Sequence, residues 1–288
     1  MHGILSIAEL GVDRLFEAAH RLRAAHVIVE NGVPIRVVGR LQTEVVPAAS
    51  AAVIPLVGVF MRRSGTWYPD VTDVDEARAA IDAAAADPSV RRIVLRVDSP
   101  GGTVDGLSEL GTSVTKAAAV KPVVAQVEGM AASAALYAIA GATEIVAGPM
   151  DVVGSIGTIA VITDWSKLAE KFGVRVVAVA SGPLKATGVF GTEFTEEQQG
   201  YIQGLVDAYA ADFKATVARG RKMSMKAVEA VADGRVFLSA QAKSLGLIDR
   251  IGGLADTLGR FATMDRARVQ ASQVAVLGLT TPRAWCTL

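Results

Sequence analysis

The sequence predicts an α/β fold in which strands and helices alternate around a buried sheet. Two observations carry this expectation. From about Ala51 to Ala262 one rhythm repeats, a short β-branched run, a turn, then a helix, which is the pattern of crossover units. The apolar content, 51% of residues with only 5% aromatic, is supplied mainly by Ala, Val, Ile and Leu. At 288 residues the chain is long enough for one large domain with an extensive core.

The elements follow in order. Residues 1–50 read as an N-terminal extension, with a helix over Val12–Ala25 and two short strands over His26–Val38 around the turn dipeptide Asn31-Gly32. Strands are expected over Val53–Phe60, Arg92–Val97, Val123–Val127, Glu144–Val146, Ile156–Ile162 and Val174–Ala180. Asp73-Val74-Asp75-Glu76 has the form of a capping box opening an Ala-rich helix that Asp87-Pro88 ends after Ala86. A longer helix opens at Thr195, with Gln198 three residues on. Its apolar positions Ile202, Leu205, Val206, Tyr209, Phe213 and Val217 fall on one face. Residues 263–288 read as a short tail without a clear element.

Bulk properties exclude several function classes. Twenty-nine basic residues balance 29 acidic ones, so nothing in the net charge points to nucleic acid or to a polybasic membrane contact. The single cysteine, Cys286, excludes an intramolecular disulfide, and a cytoplasmic setting is expected. Charged residues Glu9, Asp13, Arg14 and Glu17 interrupt the first segment, so no signal peptide is expected. The longest uncharged stretch, Val45 to Met61, is broken by Pro47, Pro55 and Gly58 and is too short for a spanning helix.

The three histidines, His2, His20 and His26, all lie in the extension, so a Ser-His-Asp triad has no histidine within the α/β body. No cofactor is expected: metal-ligand spacing and phosphate-binding glycine loops are both absent from the sequence. What remains are loops at strand ends. Asp98-Ser99-Pro100-Gly101-Gly102 reads as an ordinary turn, or as a loop whose N–H groups meet a developing oxyanion. In Glu128-Gly129-Met130-Ala131-Ala132-Ser133-Ala134-Ala135, small residues surround Ser133 and leave it open to a substrate. On these residues alone, Ser133 reads as a helix N-cap. Ser181-Gly182-Pro183-Leu184-Lys185 carries the one charge between Val176 and Thr192. A lysine in an apolar setting gives up its proton more readily and can act as a base, whereas a solvated surface lysine is the commoner case. Ser155, in Gly154-Ser155-Ile156-Gly157, is placed either to orient that amine or simply to begin a strand.

In this order, Ser-Pro-Gly-Gly, Ala-Ala-Ser, Gly-Ser-Ile-Gly and Ser-Gly-x-x-Lys, the segments resemble the signal peptide peptidase A family, over about Ala51 to Asp256. That family includes bacterial membrane-associated peptidases and the phage capsid-assembly proteases called protein C. The resemblance implies a Clp protease/crotonase-like spiral of ββα units and a peptidase domain over residues 51–262. It implies Ser133 as nucleophile, Lys185 as general base and Ser155 as the serine that hydrogen-bonds the lysine. Gly101, Gly102 and Ala134 then stand at the oxyanion hole, with the Ser133 amide as an alternative to that of Ala134. It also implies a polypeptide substrate and a homo-oligomeric ring or dome, in which the lysine serves either its own or a neighbouring serine. The chain departs from the family where Ala134-Ala135 replace a common Gly-Gly and Ala186 a common Asp. Without an expected membrane segment, the phage branch fits best, with portal, scaffold or capsid proteins as partners. The alternatives are a peptidase that degrades signal peptides or membrane-protein fragments, a non-catalytic ring-forming protein on the same fold, and a crotonase-type acyl-CoA enzyme using Glu128.

Overall fold

The computed structural model describes residues 36–38, 43–46, 49–62 and 71–279. The helix expected over Val12–Ala25 and the turn at Asn31-Gly32 lie outside the described residues. The chain forms a mixed α/β structure built on a largely parallel sheet, the architecture expected of a Clp protease-like fold. Strands β1 (Arg36–Val38) and β2 (Thr43–Val46) form an antiparallel margin, and β2 pairs with β3 (Ala51–Val57). Residues assigned to the extension from sequence thus continue the main sheet. Strands β4 (Val59–Met61) and β5 (Val71–Asp73) make a small parallel pair of their own.

Helix α1 (Val74–Ala86) begins where the acidic cluster predicts. The Asp73 carboxylate accepts hydrogen bonds from the Asp75 and Glu76 amides, and Asp87 is the C-cap. Strand β6 (Arg92–Ser99) pairs parallel with β3, then helix α2 (Leu107–Val120) returns the chain to β7 (Val123–Ala132), parallel to β6. After the short helix α3 (Ala134–Ile139), β8 (Glu144–Ala147) pairs with the first half of β7, and β9 (Val152–Gly154) pairs with its second half. The change of partner turns on Gly129. Its φ of +112° is open to glycine, and a Cβ there would lie 2.8 Å from the Asp98 carboxylate. Burial pushes the Asp98 carboxyl pKa upward, and Asp151 and Glu128 add to this against the opposing Met130 amide.

Beyond helix α4 (Ser166–Lys171) the chain enters α5 (Glu196–Arg221), whose capping box is complete: Thr195 Oγ1 accepts from the Gln198 amide and Gln198 Oε1 from the Thr195 amide. Helix α6 (Met225–Glu229), β10 (Val236–Leu238, antiparallel to β9), α7 (Ser239–Ser244), β11 (Arg250–Ile251, parallel to β8) and α8 (Leu254–Leu279) complete the chain.

The sheet is buried on both faces, which is why its strands read as continuous apolar runs rather than alternating ones. Ile93, Leu95 and Val97 face α1, α2 and α3 and share a core with Leu110 and Val114 of α2 and Leu136 and Ile139 of α3. Val53, Val94, Val124 and Val146 face α8 through Phe261. Each such fully buried Leu or Ile contributes about 1.5–3 kcal/mol. The tail expected after Ala262 is instead a continuation of α8, since no proline interrupts the chain before Pro282. The helix is fixed by polar contacts as well. Thr257 Oγ1 donates to Gln126 Oε1 at 2.8 Å within the core, and Arg92 forms a two-pronged pair with Asp265 at 2.9 Å. Among the described residues, no helix is long and apolar enough to cross a membrane.

Glu144 gathers Arg250 of β11 and Arg260 of α8. Burial opposes ionisation of Glu144, but the hydrogen bonds from Arg260 and Arg250 outweigh it and hold the carboxyl pKa below its ordinary value. The associated stabilisation is therefore present above the unfolded pKa of about 4.3 and is lost as pH falls through the lower folded value. Glu144→Gln is expected to lower the thermal midpoint at pH 7. The difference from wild type should shrink in acid, a comparison that calorimetry at the two pH values reads directly.

The sequence predicts two further strands, over Ile156–Ile162 and Val174–Ala180, and here the structure differs. Both runs lack regular structure, and α4 is the regular element in the segment from 155 to 194. A strand needs a neighbour to take up its backbone groups, and among the described residues these runs pair with no strand. Val177 is 67% exposed and Val179 98%. The segment is tied together by stacking of Trp165 on Phe190, at 5.8 Å between ring centroids, and by the Phe194 amide donating to Asp164.

Candidate active site

Ser133 stands where β7 ends and α3 begins, the N-cap position that its flanking sequence suggested. Its geometry is not that of a cap. It has φ +51° and ψ −122°, and its side chain makes no capping hydrogen bond. A non-glycine residue in such a conformation costs about 1–3 kcal/mol and persists only where its surroundings hold it. Those surroundings are visible: the Ser133 amide donates to Gly154 O at 2.9 Å, and Ser133 O accepts from the Tyr137 amide at 3.0 Å. All six residues of α3 are buried, so the helix is a fixed support. Ala131, Ala132, Ala134 and Ala135 pack around the serine without covering it, and Ser133 itself is half-buried.

The loop after β6 lies against this serine. A Cβ on Gly101 (φ +107°) would stand 2.7 Å from Ser133 Cβ and 2.9 Å from the Ala134 nitrogen. The Gly101 amide is engaged, donating to the fully buried Ser99 Oγ at 3.1 Å. Gly101 O accepts from the Phe60 amide, and Phe60 O from the Thr103 amide, so the loop is clamped to β4. The Gly102 and Ala134 amides make no hydrogen bond among the described residues.

Ser155 is also at positive φ, +53°, with its amide donating to Arg235 O at 2.7 Å. Ser133, Ser155, Gly102 and Ala134 line one cavity of about 580 Å³, whose apolar wall includes Leu107, Ile156 and Phe213. Lys185 does not line it. It lies in a turn within the 155–194 segment, with its side chain exposed. One chain thus brings together the serines and the glycine loop but leaves the lysine, and the apolar setting expected for it, apart. The expected apolar face of α5 is split too. Phe213 and Val217 are buried, while Leu205 and Tyr209 are 37% and 44% exposed, with Tyr209 on the cavity rim.

Two contributors escape sequence reading. Ser99 lies inside the Ser-Pro-Gly-Gly motif, but nothing in the letters says that its hydroxyl fixes the Gly101 amide. Tyr137 follows Ser133 by one helical turn and looks like ordinary core, yet it lines the cavity.

Residues 115–268 match peptidase family S49, more than half of the chain. A Synechocystis sp. protein named as a protease is 37% identical over 172 residues, covering 60% of this chain and 62% of the relative. Protease 4 of Salmonella typhi is 32% identical over 229 residues, 79% of this chain and 37% of the relative. Capsid assembly protease C of Escherichia phage lambda is 26% identical over 209 residues, 72% and 47%. The chain spans less than two thirds of the length of these relatives. The match covers the strand and helix that present Ser133, the turn of Ser155 and the segment of Lys185, and the chain belongs to peptidase family S49.

Proposed function

We propose that this chain is a serine endopeptidase in which Ser133 is the nucleophile and Lys185 the general base. The observation that carries the reading is the strained, uncapped Ser133 sharing one cavity with Gly102 and Ala134, whose amides make no hydrogen bond among the described residues. In this reading the Lys185 amine takes the hydroxyl proton as Ser133 Oγ attacks the scissile carbonyl carbon. The Gly102 and Ala134 N–H groups donate hydrogen bonds to the developing oxyanion. Collapse of the intermediate breaks the C–N bond, and the departing amine takes the proton back from the lysine. Water then attacks the acyl-serine with the lysine again as base, releasing the acid and restoring the hydroxyl. Ser155, on the same cavity, orients the amine. Gly101 serves through its close approach rather than as a donor, because its amide is already used by Ser99.

Lys185 reaches the cavity from a neighbouring copy. In support, the 155–194 segment carries the lysine together with β-branched runs that pair with no described strand and exposed Val177, Val179, Phe172 and Phe190, a surface suited to a second chain. A homo-oligomer therefore completes the site. The biological substrate we assign is a phage assembly protein, on the likeness to a protein named capsid assembly protease C and another named head-tail preconnector protein. Degradation of signal peptides or membrane-protein fragments, suggested by a relative named as a signal peptide peptidase, is the alternative.

A fluorophosphonate probe is expected to label the wild-type protein on Ser133 and to leave Ser133→Ala unlabelled, with peptide hydrolysis lost in parallel. Equal labelling of both proteins would overturn the nucleophile assignment, and an unlabelled wild type that still assembles would favour a non-catalytic assembly protein.

A further inference from the structure

We infer that Tyr137, held in place by Asp212, is the end wall of the substrate cavity and limits the length of the side chain it accepts. The inference rests on Ser133 being the nucleophile and concerns which peptide bonds it reaches. A second cavity, of about 420 Å³, lies between α2 and α5, and it shares Ser108, Tyr137 and Asp212 with the cavity of Ser133. Residues lining both spaces form the partition between them, and Tyr137 is the large side chain among the three.

The wall is fixed on every side. Its backbone is tied to the nucleophile, since the Tyr137 amide donates to Ser133 O. The hydroxyl donates to Asp212 Oδ2 at 2.7 Å, and the ring packs on Phe213 at 5.5 Å between centroids. On the α2 side the ring meets Gly111, where a Cβ would stand 3.3 Å from Cε1, so the glycine leaves the room the ring occupies. Tyr137 is only 8% exposed. The two spaces also differ in character. The first has an apolar wall, whereas the second is lined by Thr112, Thr115, Thr216, Lys116 and Arg219. A side chain entering beside Ser133 meets apolar surface and then stops at the phenol. Removing the ring joins the cavities.

The test is a set of peptides differing only in the residue that donates the scissile carbonyl, Ala, Leu, Phe or Trp. Tyr137→Ala is expected to raise kcat/KM for Phe and Trp relative to Ala by about tenfold or more, the size of a change in pocket fit. Tyr137→Phe keeps the ring but loses the hold of Asp212, so its profile should shift in the same direction by less than that of Tyr137→Ala. Gly111→Ala should move the profile the other way, toward small residues, because the added methyl presses the ring toward Ser133. This variant sits in a helix that favours alanine, so it keeps the question answerable should Tyr137→Ala fail to fold. An unchanged profile in variants that still cleave the Ala peptide overturns the wall. A wild type whose cleavage does not depend on Ser133 overturns the underlying reading instead.

Discussion

Mixing Ser133→Ala protein with Lys185→Ala protein is expected to restore peptide hydrolysis that neither variant retains alone. Removal of either member of a nucleophile–base pair costs about 10⁴–10⁶-fold in kcat, because each is useless without the other. In the mixture, a Lys185→Ala chain offers an intact serine and a Ser133→Ala chain an intact lysine. If the site forms between copies, random pairing makes about a quarter of the sites complete. The expectation follows from the exposed Lys185, which does not line the Ser133 cavity, and from the unpaired segment that carries it. Complexes must exchange subunits for this to work, so the variants are mixed after dissociation and reassembly is followed by light scattering. Two inactive variants whose reassembled mixture stays inactive would place the lysine in its own chain. Full activity of either variant alone would remove the dyad.

The same segment marks the limit of what the sequence disclosed. Local chemistry was legible. Asp73 and Thr195 announced helix starts because capping is a short-range contest between side chain and backbone, and both caps form as their spacing implies. The buried strands were legible because Ile93-Val94-Leu95 and Val123-Val124-Ala125 are continuous apolar runs. The runs at Ile156–Ile162 and Val174–Ala180 carry the same β-branched pattern but have no partner strand among the described residues. Propensity alone does not make a strand, since ladder hydrogen bonds need a second backbone. The site was legible as a set of loops, but not in its joints. Nothing in the letters distinguishes a Gly101 amide held by Ser99 from a free Gly102 amide, because that division depends on the clamp to Phe60 across the β4 edge. Nor does an alanine-rich turn disclose that Ser133 will be held at positive φ, a conformation imposed by Gly154 and the buried α3.

That clamp makes Gly102 the most demanding position in the loop. A Cβ at Gly102 would fall 1.9 Å from Phe60 O and 2.6 Å from Phe60 C and N. Every one of these atoms is backbone, so no side chain can swing aside. Gly102→Ala must either part the loop from β4 or tilt the Gly102 peptide plane, and both move its N–H away from the oxyanion position. Loss of one such donor costs about 10²–10³-fold in kcat, and that fall is expected here while Ser133 is untouched. Ser99→Ala acts on the neighbouring joint. It leaves the buried Gly101 amide without an acceptor, at about 1–3 kcal/mol, and frees the turn that aims Gly102. A smaller fall in kcat with KM nearly unchanged is expected, because ground-state binding does not use the oxyanion donors. Thermal unfolding separates these effects from global collapse. If Gly102→Ala lowers stability but hydrolyses at the wild-type kcat, the amide is no part of the machinery. If kcat falls in a protein that remains folded at the assay temperature, the loop acts on the transition state, and Phe60, distant from Ser133 along the sequence, is what keeps it aimed.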